Sequence, residues 1–137
     1  MDLIKNLIDN YPKHKKKIKL DIILESGAAN GSYHLGCLLY IRGLELKKKL
    51  KIYRISGSSI GAVAGFYYLT NSLHVLLEDY KILRKCFKEK YNFSILQEIL
   101  KKKINLLTPE EIQNLNNRLF IVYYDVQQKK QILKQTY

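Results

Sequence analysis

Apolar and polar positions change their spacing several times along the chain, and each change marks an element. Residues 1–10 place Leu3, Ile4, Leu7 and Ile8 on one face of a short helix that Pro12 stops. The stretch IKLDIIL, residues 18–24, is β-branched and apolar enough for a buried strand, and the ESGAANG that follows carries turn chemistry. From Ser32 to about Lys48 the spacing becomes helical, offering Tyr33, Leu38, Ile41 and Leu44 or Leu46 to one broad face. KIYRIS, residues 51–56, predicts a second strand, and residues 60 to about 70 a second helix. The order is strand, helix, strand, helix.

The next part of the chain reads mainly as helix. Ser72 can cap a helix carrying Leu73, Leu76, Leu77, Tyr80, Leu83 and Phe87, and Ser94 can cap another that runs to Lys103. TPEE, residues 108–111, sets Thr108 as N-cap, Pro109 at the first helical position and Glu111 to reach back as in a capping box. RLFIVYYDV, residues 118–126, predicts a third strand, and QQKK a turn into a hairpin with residues 131–137. There is no repeat and no linker. The expected fold class is α/β: a partial three-layer arrangement, mainly a parallel sheet with flanking helices.

Composition bounds this picture without changing it. A chain of 137 residues, 47% hydrophobic, is long enough for one core, so we expect one domain over 18–137 behind a basic arm at 1–17. The longest apolar stretch, residues 60–69, falls well short of the ~20 residues that span a bilayer. An early Asp2 and the lack of an apolar run do not read as a secretory signal, so a cytoplasmic location, peripheral at membranes, is the expectation. Cys37 and Cys86 lie far apart with no Cys-x-x-Cys spacing, which argues for buried free thiols and against a metal site or disulfide framework.

Charge invites a nucleic-acid reading, and residue usage weakens it. The net charge is +12, but Lys, Ile, Tyr and Asn, all encoded by AT-rich codons, make up 56 of 137 residues, while Arg numbers four. No nucleic-acid partner is expected. The KHKKKIK run at 13–19 suits a solvated arm, with an anionic membrane surface as the alternative. KKK at 101–103 lies in the last turn of a helix, where cations complement the dipole.

Two loops carry chemistry. Gly57-Ser58-Ser59-Ile60-Gly61 fits G-x-S-x-G, the nucleophile elbow, in which a sharp strand-to-helix turn exposes the central serine, here Ser59. With seven glycines and seven serines, the pattern arises by chance about twice in a hundred such chains. It follows a predicted strand and opens a predicted helix, as its mechanism demands; a plain glycine turn is the alternative. Attack by serine needs N–H donors for the oxyanion. The SGAANG loop, residues 26–31, can turn its amides inward at a helix N-terminus. A right-handed crossover makes the two strands parallel, which brings both loops to their carboxyl ends, where open α/β sheets bind ligands.

DIILESGAANGSYHLGCLLYIRGLE followed by YRISGSSIGAVAGFYYL resembles the N-terminal half of a patatin-like phospholipase domain. In that family a loop of the form G-G-G-x-R/K-G makes the oxyanion hole, G-x-S-x-G holds the nucleophile, and an Asp in a later D-G-G or D-G-A completes a Ser-Asp dyad. The resemblance implies Ser59 as the nucleophile and an oxyanion hole from Gly27, Ala28, Ala29, Asn30, Gly31 and the N–H of Ile60. Gly57, Ser58 and Gly61 build the elbow. Gly27 and Gly31 match the family's glycines outright; Ser26 and Ala28 replace glycines, and Asn30 replaces the basic residue. It also implies an acyl-ester lipid such as a phospholipid as substrate, and no metal or organic cofactor.

One part of the pattern is missing. All seven glycines lie at or before Gly65, so no Asp-Gly follows Ser59, and the expected domain stops short of its catalytic Asp motif. Asp79 falls on a predicted surface helix, and Asp125 ends a predicted strand. Among the histidines, His14 and His34 precede the serine, and His74 follows it by only fifteen residues. The leading expectation is a serine lipid acyl hydrolase. A catalytically incompetent relative acting as a membrane-surface or partner-binding module is the alternative; a dinucleotide binder would need a third glycine in the 26–31 loop.

Overall fold

A four-stranded sheet in the order β1-β2-β3-β4 organises the protein, whose computed structural model describes residues 2–12, 18–27, 31–90 and 94–135. The elements are α1 (Asp2–Asp9), β1 (Ile18–Leu24), α2 (Gly31–Leu46), β2 (Leu50–Ser58), α3 (Ile60–Leu69), α4 (Leu73–Lys90), α5 (Ser94–Asn105), α6 (Pro109–Leu115), β3 (Leu119–Asp125) and β4 (Lys130–Gln135). Strands β1, β2 and β3 run parallel, and β4 returns antiparallel to β3. The protein is therefore a mixed α/β fold with a mostly parallel sheet flanked by helices.

Helix α3 is the centre of the core. Every residue of it except Ala62 is buried, as expected of a helix apolar on all sides. It crosses β1, β2 and β3, and Gly65 lets it settle on the sheet: a Cβ there would come within 2.9 Å of Ile55 Cγ2 and 3.1 Å of Leu119. Helices α2 and α3 touch the sheet and each other, and α4 packs on both, so the three lie on one side of the sheet. Right-handed crossovers stepping in one direction from β1 to β3 require this. Among the described residues two layers are filled, helices and sheet.

Among the described residues nothing covers the opposite face of the sheet, and that corrects the reading of β1 as a buried strand. Only Leu24 of β1 is buried, and Ile23 is 82% exposed. The reason is position: β1 is an edge strand whose Lys19, Asp21 and Ile23 point away from the helices. Between Leu20 and Asp21 the register slips, so that Leu20 faces Ile52 while Asp21 faces Arg54. Tyr53 is the extra residue of this bulge. Asp21 and Arg54 then meet on the open face at 2.5 Å, and the guanidinium holds the Asp21 carboxyl below the usual carboxylate range.

Helix α2 buries Leu35, Leu38 and Leu44, whereas Tyr33 and Leu46, read from spacing as part of its inner face, are exposed. Tyr33 lies in the first turn, where no described element covers it. Thr108 forms the full capping box with Glu111, which donates its N–H to Thr108 Oγ1 at 3.2 Å and accepts the Thr108 N–H at 2.9 Å.

Candidate active site

The segment between β2 and α3 reverses direction in one residue. Ser59, the N-cap of α3, has φ 49° and ψ −124°, the geometry of the first central position of a type II′ turn, a place where glycine is the rule. Ser59 is exposed while Gly57, Ile60 and Gly61 around it are buried. The two glycines have steric reasons. A Cβ on Gly57 would lie 2.6 Å from the carbonyl carbon of Gly61 and 2.7 Å from Ala62 N. A Cβ on Gly61 would meet the main-chain oxygens of Leu24 and Glu25, the latter at 2.7 Å. The elbow can close only because neither residue has a side chain.

That second contact also ties the two loops together. Gly61, in the first turn of α3, lies against the carbonyls that lead out of β1 into the 26–31 loop. Gly27 has φ 129°, a backbone state that glycine adopts and other residues rarely do. Gly31 begins α2 against the ring of Tyr80, which a Cβ would approach to 2.6 Å, and beside Ile60 at 3.1 Å. Ala28, Ala29 and Asn30 lie outside the described residues. Ser26 and Ser58 share the wall of a shallow cavity of about 310 Å³ above the ends of β1 and β2. The N-terminus of α3 points its first N–H groups, that of Ile60 included, toward this end of the sheet, since they have no acceptor within the helix.

Below Ser59 lies an apolar cavity of about 600 Å³ between α3, α5, α6 and β3. Its wall runs from Ser59 past Ala62, Val63 and Phe66 on one side and past Leu100 and Leu119 on the other. The volume falls within the ~300–1,000 Å³ of ordinary ligand pockets. A larger cavity, about 850 Å³, is lined by polar groups such as Thr70, His74, Glu110 and Arg118 at the opposite edge of the sheet, remote from Ser59.

Both aspartates that follow Ser59 have other partners. Asp79, read from the sequence as a surface residue, has a side chain only 18% exposed; it accepts the Tyr67 hydroxyl at 2.5 Å and pairs with Lys103 at 3.2 Å. The correction follows from α5, which packs over α4 and lays Lys103 across that face. Asp125 closes the β3–β4 turn, its Oδ1 accepting the Gln128 N–H at 2.9 Å. His74 is exposed in the first turn of α4, at the far end of α3 from the elbow, and His34 is half-buried in α2, its Nδ1 without a hydrogen-bond partner among the described residues. No group of three or more metal-ligating side chains occurs among the described residues.

Two polar networks support α3 that sequence reading missed. The Tyr67 hydroxyl binds Asp79, and Lys103 lies 5.1 Å from the Tyr67 ring centroid. The Tyr68 hydroxyl donates to Glu45 Oε2 at 2.7 Å, and the same carboxylate holds Arg42 at 3.1 Å and accepts the Ile52 N–H at 2.7 Å. Burial, then the bonded carboxylates, push both phenol pKa values far above the ordinary tyrosine value. Two adjacent tyrosines in a wholly apolar helix were the available signal, because a buried phenol needs an acceptor.

The family model for patatin-like phospholipases matches residues 22–135, from β1 to the end of β4. No curated protein and no solved structure matches the chain. The match spans the sheet, the elbow and the helices between them, and on that ground the chain belongs to the patatin-like phospholipase family.

Proposed function

We propose that this protein is a serine lipid acyl hydrolase in which Ser59 attacks the carbonyl carbon of a phospholipid or acylglycerol ester. The observation that carries the reading is the coincidence of an exposed serine, held in a backbone conformation where glycine is the rule, with an apolar cavity at its side. The cavity suits an acyl chain. In the first step Ser59 Oγ bonds to the carbonyl carbon, and the carbonyl oxygen becomes an oxyanion held by the N–H of Ile60 and by N–H groups of residues 27–31. Collapse expels the lipid alcohol, which takes up the proton that serine lost. Water then attacks the acyl-serine, and the fatty acid leaves as Ser59 regains its proton.

Proton transfer is the weak link. Asp79 and Asp125 are engaged elsewhere, which also favours the second reading, a non-catalytic module that keeps the elbow as structure. General-base assistance contributes about 10²–10⁴-fold, so phospholipid turnover by these 137 residues should be weak, and a serine reagent should label Ser59 slowly. Covalent labelling by a fluorophosphonate separates the two. The hydrolase reading expects one adduct, on Ser59, absent in Ser59→Ala; a folded protein that takes no label at this residue would leave only the module.

A further inference from the structure

We infer that the carboxyl edge of the sheet docks on anionic lipid bilayers, with the tip of the β3–β4 hairpin as the inserting element. The inference rests on the hydrolase reading for its purpose, since this is the edge at which Ser59 stands. Pairing between β2 and β3 ends at Ser58 and Val122, yet β3 and β4 stay paired out to Asp125 and Lys130. The hairpin therefore overshoots the elbow by three residues, about 10 Å at ~3.3 Å per residue. Its projecting end carries Tyr124, 61% exposed, and Val126, 77% exposed, followed by the exposed Lys129 and Lys130. Tyr33, 79% exposed, sits at the same edge in the first turn of α2.

Helix α4 reaches this edge as well. Tyr80 lies against Gly31, and the helix continues for ten residues beyond it, about 15 Å at ~1.5 Å per residue, bearing the exposed Arg84, Lys85 and Lys88. Opposing them among the described residues are Glu25, Glu89, Glu98 and Asp125, the last already held by the Gln128 N–H. The edge thus combines protruding amphipathic rings and a valine with a surplus of cations. Tyrosine belongs at the headgroup level of a membrane, and lysine and arginine are drawn to its anionic lipids. A soluble acidic protein or a nucleic acid would use the cations and leave Tyr124 and Val126 without a role.

Flotation of the full chain with vesicles of phosphatidylcholine, with and without phosphatidylserine, tests this. Binding should require phosphatidylserine and survive in Ser59→Ala. Replacing Lys129 and Lys130 by Gln should lower the partition coefficient roughly 30-fold, and Tyr124→Ser with Val126→Ser should lower it at least tenfold, each variant keeping wild-type fluorophosphonate labelling. A fluorophore on Val126→Cys, with Cys37, which is exposed, and Cys86 replaced by Ser, should shift to the blue on the vesicles. Equal flotation of hairpin variants and wild type, an unshifted fluorophore, or binding to nucleic acid in place of vesicles would overturn the inference. Flotation without labelling would instead remove the hydrolase reading and leave the docking face intact.

Discussion

A serine at φ 49° and ψ −124° is held against its own preference, because a Cβ in that region crowds the neighbouring backbone. Strain of this kind costs about 1–3 kcal/mol, and the surroundings must impose it. Here the imposing contacts are Gly57 against Gly61 and Gly61 against the carbonyls of Leu24 and Glu25. Ser59→Gly should therefore stabilise the protein, by about 1 kcal/mol after glycine's greater loss of backbone freedom is subtracted. Ser59→Ala, which keeps the Cβ, should leave stability nearly unchanged. Denaturant unfolding of the two variants checks this, and a less stable glycine variant would show that the turn is relaxed.

Elements were legible where a local signal sufficed. The strand-helix-strand-helix order, the sharp strand-to-helix turn at 57–61, the capping box at Thr108 and the hairpin after Asp125 all depend on neighbours within a few residues, and each lies where its residues predicted. What the chain hides is which face meets another element. Apolar β1 reads as buried, but its burial depends on a layer that the described residues do not provide; Asp79 reads as exposed until α5 is placed over it. The roles of Tyr67 and Tyr68 were equally illegible, because their carboxylate partners come from α4 and α2. These helix-to-helix bonds make a pH prediction. Unfolded phenols titrate near ~10 and the two folded ones higher, so their contribution is complete below about pH 10 and is lost as pH rises through the folded values. Melting temperature should fall above about pH 10, less steeply in Tyr67→Phe, and ultraviolet titration should find these two of the eleven tyrosines neutral until the fold opens.

At the scale of the whole molecule the sheet is joined unevenly. Seven residue pairs link β1 to β2 across one helix, whereas only four, from Ile55–Leu119 to Ser58–Val122, link β2 to β3. Those four bring together residues almost half the chain apart, with α3, α4, α5 and α6 in between. Closing so long a loop is entropically expensive and is repaid only after the intervening helices have packed. The hairpin β3–β4 and the β1–α2–β2 unit should thus fold first and meet last, and in the native state the β2–β3 seam should be the earliest to part. Native-state hydrogen exchange reads this directly: the amides that bridge Ile55–Ser58 to β3 should exchange through a smaller opening free energy than those between β1 and β2. Because Ser59 follows directly on β2 where that seam ends, and β3 forms one wall of the apolar cavity, the slowest-forming joint in the protein is also the one whose breathing would loosen the wall beside the proposed nucleophile.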